Sequence, residues 1–104
     1  MINPFLQSYQ NQLVSLCRRY AVVRLYAFGS VTTTNFDEEL SDVDLVVELP
    51  ESLAPEQKGE TYFNLLFDLE RLFNRRVDLL MNPSFRNPYF AHAVEKSKEL
   101  VYAA

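Results

Sequence analysis

The chain alternates between two hydrophobic rhythms. Over residues 3 to 20, Phe5, Leu6, Tyr9, Leu13, Leu16, Cys17 and Tyr20 recur at about 3.6-residue spacing, the mark of one amphipathic helix. Asn3 can cap it, Pro4 suits its first position, and Arg18 and Arg19 suit its C-terminal dipole. Residues 22 to 28 are β-branched, aliphatic or aromatic and run into Gly29, so they predict a strand. The stretch from Val31 to Ser41 is polar, with a possible helical turn from Phe36 to Leu40. Residues 43 to 48 predict a second strand, closed by Pro50. Pro55 to Asn74 predicts a long helix, with Tyr62, Phe63, Leu65, Leu66, Leu69, Leu72 and Phe73 on a broad apolar face. Val77 to Met81 predicts a third strand. From Pro88 to Tyr102 the spacing of Phe90, Ala93, Val94, Ser97, Leu100 and Val101 predicts a last helix.

The predicted order is helix, strand, loop, strand, helix, strand, helix. No linker or repeat divides it, and 104 residues suit one domain spanning 1–104. This is an α/β layer in which helices cover a small sheet. Strand directions are not readable at this level.

Composition narrows the function classes. The net charge of -4 gives no basic footprint for nucleic acid, so no direct nucleic-acid binding is expected. The single cysteine, Cys17, rules out an intrachain disulfide and a cysteine-based zinc site. It sits on the apolar stripe of the first helix and reads as a small buried hydrophobe. No run reaches membrane-spanning length and no signal pattern opens the chain, which predicts a cytoplasmic protein without a membrane partner. Aromatics at 13% are abundant for this size, and a homo- or hetero-oligomeric surface is one use for them.

Three carboxylates stand out. Asp42 and Asp44 are two apart at the start of a strand, so both side chains take one face while Val43, Leu45 and Val47 take the other. Side-by-side carboxylates repel, and a divalent cation relieves that repulsion. Oxygen ligands of this kind suit magnesium or manganese. Asp78 interrupts another apolar strand, in Val77-Asp78-Leu79. If the two strands are neighbours, three carboxylates converge, enough for a two-metal site. Gly29-Ser30, directly after a strand, can hold a phosphate through backbone N–H groups and a hydroxyl. Two readings stand on these residues alone: a metal site, or a cluster with only a structural role. His92, the one histidine, reads as a surface or interface residue. Arg71, Arg75 and Arg76 read as solvent-facing, or as drawing nucleotide or an acidic partner toward Asp78.

The stretch from Leu25 to Ser30, followed after eleven residues by Asp42-Val43-Asp44 in Ser41–Val47, closely resembles the signature of the DNA polymerase beta-like nucleotidyltransferases. Asp78 matches the third carboxylate of that site. The resemblance extends over nearly the whole chain and is greatest to the minimal nucleotidyltransferases, the MntA-like antitoxins paired with HEPN toxins. Arg86–Phe90 and Val94–Tyr102 look like the tail of that group.

The resemblance implies the polymerase beta-like fold, a small mixed sheet covered by helices. It implies two Mg2+ ions held by Asp42, Asp44 and Asp78, with Asp78 sharing one ion and helping to activate the incoming hydroxyl. It also implies ATP as substrate, with Gly29 and Ser30 seating its β- and γ-phosphates. The implied function is that of an antitoxin transferring AMP to a tyrosine hydroxyl of a HEPN toxin partner. A small-molecule nucleotidyltransferase is one alternative, and an antitoxin that neutralises by binding alone is another. One departure accompanies the match. Many relatives follow Gly-Ser with a small residue, Arg and Gly, whereas Val31, Thr32 and Thr33 stand here.

Overall fold

The computed structural model describes residues 4–28, 42–81, 92 and 98–104. Four strands form one mixed sheet. They are β1 (Arg24–Phe28), β2 (Val43–Glu48), β3 (Val77–Met81) and β4 (Glu99–Ala103), in the spatial order β3-β2-β1-β4. β1 runs antiparallel to both β2 and β4, whereas β2 and β3 are parallel. The parallel pair needs a crossover, which α3 (Pro55–Phe73) supplies. Two further helices, α1 (Pro4–Gln7) and α2 (Gln10–Arg19), precede the sheet.

One sheet face carries the core. Leu25, Ala27, Val43, Leu45, Val47, Val77, Leu79 and Val101 join Leu6, Leu13 and Cys17 from the first two helices and Leu65, Leu69 and Phe73 from α3. Val43, Leu45 and Val47 are fully buried while Asp44 between them is not, the period-2 signature of a strand with one covered face. The opposite face carries a small second cluster, Phe28 and Val46 with Tyr26 and Leu80 packed against them. Burial pushes the Cys17 thiol up to about 12, so it stays protonated within the core. Among the described residues no helix is long and apolar enough to cross a membrane.

Local chemistry fixes the ends of α3. Pro55 occupies its first turn, and the Gln57 side-chain carbonyl accepts the Ala54 N–H at 3.0 Å. Asn74 ends the helix in the left-handed region, φ 52°, and its N–H donates to the Glu70 carbonyl. On the solvent side of α3, Phe63 and Phe67 stack with ring centroids 6.5 Å apart.

Two predicted elements are corrected. The single helix over residues 3 to 20 is broken at Ser8-Tyr9 into α1 and α2. The Ser8 hydroxyl donates to the Phe5 carbonyl at 2.7 Å, and this side chain competes locally with the helix ladder. The apolar stripe survives the break because Tyr9 packs edge-on to Phe73 at 5.0 Å. The second correction concerns the C-terminus. Residues 99 to 102, predicted as the end of a helix, belong to β4. Pairing with β1 satisfies backbone groups on that strand that a helix would leave open. Of the rest of that predicted helix, His92 is helical and exposed. Residues 88–91 and 93–97 lie outside the described residues, as do the turn proposed at Phe36–Leu40 and Arg86 and Asn87 of the tail.

Candidate functional site

β2 and β3 are adjacent, and their parallel register sets Asp44 opposite Asp78. β1 continues the same row, with Phe28 opposite Asp44. Asp78, Asp44 and Phe28 therefore stand side by side across three strands, at positions that alternate with the core-facing ones. Asp42 is half-buried and immediately precedes β2. Gly29 and Ser30 follow β1 in sequence but lie outside the described residues, as does the Val31–Ser41 stretch.

The carboxylates are not independent. Asp44 is pushed up to about 6, first by partial burial, then by a hydrogen bond with Asp78, then by the charges of Asp78 and Asp42. Without a cation, the pair relieves its repulsion by retaining a proton. Among the described residues no three acidic, histidine or cysteine side chains close into a ready metal cage. The arrangement is a contacting pair, Asp44 and Asp78, with Asp42 near enough to act through its charge. This donor set is all oxygen and anionic, and it fits a hard divalent cation such as Mg2+.

A cavity of about 590 Å³ opens over the pair, a volume within the range of small-molecule sites. Asp44, Asp78 and Phe28 line one side, and Tyr62, Leu66 and Glu70 of α3 line another. Arg76 also reaches this cavity, so of the basic trio it is the member beside Asp78. Arg75 instead lies over the Phe5 ring, 4.6 Å from its centroid, and Arg71 is exposed on α3.

α3 also holds the strand that carries Asp78. Among the described strands β3 lies at the sheet edge, so its outer backbone groups have no strand partner there. The Tyr62 hydroxyl donates to the Leu79 carbonyl, and the Val77 N–H donates to Glu70 Oε2 at 3.2 Å. These two bonds bracket Asp78 from the helix side. The Tyr62 phenol is raised by its burial and then by the Asp78 charge, which keeps it a neutral donor. Sequence reading placed Tyr62 on the apolar face of a helix and passed over Glu70. Their spacing, eight residues apart along one helix edge, was the available signal, but only the packing of α3 on β3 gives it meaning.

A family model described as a nucleotidyltransferase domain matches residues 10–101. A Methanocaldococcus jannaschii protein, provisionally named a protein adenylyltransferase, is 33% identical over 84 residues, covering 81% of this chain and 79% of its own. A solved structure provisionally described as a minimal nucleotidyltransferase is 27% identical, with a TM-score of 0.65 and 95% of each chain covered. A chain from the Shewanella oneidensis complex of tri-AMPylated HEPN toxin with MNT antitoxin superposes with a TM-score of 0.65 at 19% identity. That match covers 95% of this chain and 73% of the other, and it shows likeness of fold.

Proposed function

This chain belongs to the nucleotidyltransferase domain family, and from that premise we propose that it is the antitoxin of a HEPN toxin, which it silences by transferring AMP from ATP to a tyrosine hydroxyl. The observation that carries the reading is the Asp44–Asp78 pair on the wall of an open cavity. A partly buried carboxylate in contact with a second one is costly to keep ionised unless a cation joins them.

In this reading Asp42 and Asp44 hold Mg2+, and Asp78 shares an ion from the neighbouring strand. The ions, when bound, supply charge neutralisation to the attacking and leaving oxygens. Asp78 lies on the outer strand and is exposed, so it faces the incoming hydroxyl and is the group placed to take its proton. Gly29 and Ser30, directly after Phe28, seat the β- and γ-phosphates. Phe28 and Leu80 give the cavity an apolar floor. Tyr62 and Glu70 hold β3, and with it Asp78, at a fixed depth. The two relatives whose names mention adenylyl transfer or AMPylation support AMP as the group moved.

The test is direct. This protein is incubated with labelled ATP, Mg2+ and a HEPN-type toxin protein. Label on the partner, lost in an Asp42→Asn plus Asp44→Asn variant and in a partner lacking the acceptor tyrosine, is the expected result. A stoichiometric complex without label would replace this reading with neutralisation by binding alone. Label on a small molecule instead would move the acceptor to the other alternative.

A further inference from the structure

Two Mg2+ ions only match the charge of a nucleoside triphosphate, and the carboxylates of Asp42, Asp44 and Asp78 leave the loaded site negative, so a further cation would favour the β- and γ-phosphates. Five of the described cations divide by position. Arg24 is paired with Glu48 at 2.9 Å, four residues from Phe28 and roughly 13 Å away along β1. Arg75 lies over Phe5, and Arg19 lies 3.9 Å from Asp68. Arg76 reaches the cavity beside Asp78, on the outer, β3 side. Lys98 stands on the other side of the carboxylates.

The register places it. Ala27 of β1 is opposite Glu99 of β4, and one step along that antiparallel ladder brings Lys98 level with Phe28. Phe28 is opposite Asp44, and Asp44 is opposite Asp78. The order across the sheet is thus Asp78, Asp44, Phe28, Lys98. At about 4.8 Å per strand, the Lys98 backbone is roughly 10 Å from that of Asp44. The ammonium sits 4.2 Å from the centroid of the Tyr26 ring. Tyr26 and Phe28 lie on the same face of β1 as Asp44 does on β2, two residues apart. The aromatic ring therefore holds the cation on the carboxylate face over the middle of β1, two residues before Phe28, which leads into Gly29 and Ser30.

We propose that Lys98, rested on Tyr26, binds the β- and γ-phosphates of ATP and supplies the positive charge absent from the Val31–Thr33 segment. The inference rests on the nucleotidyl-transfer reading above. It follows from β4 being a strand, because only the β1–β4 register brings Lys98 to this row.

Equilibrium binding in Mg2+ tests it, using a non-hydrolysable ATP analogue and AMP, with wild type, Lys98→Met and Lys98→Arg. Met keeps an apolar stem over Tyr26, and circular dichroism melts confirm folding. The expected result is a roughly ten- to hundredfold loss of affinity for the ATP analogue in Lys98→Met, unchanged affinity for AMP, and recovery in Lys98→Arg. Equal ATP-analogue affinity in wild type and Lys98→Met overturns the assignment while leaving nucleotidyl transfer standing. Equal losses for the ATP analogue and AMP overturn it too, because they mark a structural role. Failure of the wild type to bind any nucleotide overturns both this assignment and the function on which it rests.

Discussion

Asp44 and Asp78 face each other across the parallel β2–β3 pair and share a hydrogen bond, although 33 residues and a whole helix separate them in the chain. This contact joins the fold to the chemistry, because the crossover that makes the strands parallel also brings the carboxylates together.

That contact makes stability depend on pH. The folded Asp44 carboxyl titrates at about 6, against an ordinary value of 3.8. Between those values the folded chain holds a proton that the unfolded chain has released, so stability falls as pH rises through this window. Below the ordinary value both states are protonated and the contribution is level. Partial solvent exposure makes the effect smaller than the shift alone implies. In EDTA, the melting temperature of the wild type should fall between pH 4 and pH 6.5, and Asp44→Asn should flatten that fall. Mg2+ at pH 7.5 should raise the melting temperature of the wild type and leave Asp44→Asn unmoved.

The two sides of the carboxylate row should separate in kinetics. Asp78→Asn should lower kcat by about a hundredfold or more while leaving ATP-analogue affinity nearly intact, since in the proposed mechanism it removes a group that acts on the acceptor. Asp44→Asn should weaken nucleotide binding as well. Steady-state kinetics combined with equilibrium binding distinguishes these patterns, and equal loss of binding in both variants would merge the two roles.

Removing the Tyr62 hydroxyl should loosen β3. Tyr62→Phe leaves the Leu79 carbonyl without its helix-side donor and should destabilise the fold by about 0.5–1.5 kcal/mol. Glu70→Ala removes the acceptor of the Val77 N–H and should act in the same direction. Hydrogen exchange at β3 should rise in either variant, with β1 amides less affected. A uniform rise across the sheet would show that the brace is not local.

Ala21 occupies the left-handed region at φ 54°, just after α2. A Cβ is strained there, and glycine is not. Ala21→Gly should therefore stabilise the protein by up to about 1 kcal/mol in urea unfolding, against the usual trend for glycine substitutions.

Much of the architecture was legible in the residues. β2 and β3 fall within the predicted segments because Val43–Val47 is rich in β-branched and aliphatic residues with Asp44 set between Val43 and Leu45, and Val77 and Leu79 flank Asp78. The predicted long helix over Pro55–Asn74 matches α3 apart from its capping Asn74. The C-terminal segment misled because Leu100 and Val101 fit the helical spacing of the residues before them. That periodicity is local, whereas the choice of strand depends on β1 offering an unpaired edge. The first helix misled for a smaller reason, since a serine hydroxyl turning back to a carbonyl does not disturb the apolar spacing.

The sequence by itself determined which residue types are candidates for the proposed chemistry. Asp42, Asp44 and Asp78 each sit where a strand pattern sets a carboxylate against apolar neighbours, and period 2 gives each strand its faces without reference to the rest of the chain. Tertiary structure alone decided who stands beside whom. Parallel pairing put Asp78 against Asp44, the packing of α3 turned Tyr62 and Glu70 into a brace for β3, and the pairing of β4 with β1 brought Lys98 over Tyr26. Strand order and direction arise from long-range backbone hydrogen bonds and shared core burial, and no local pattern of residues encodes either.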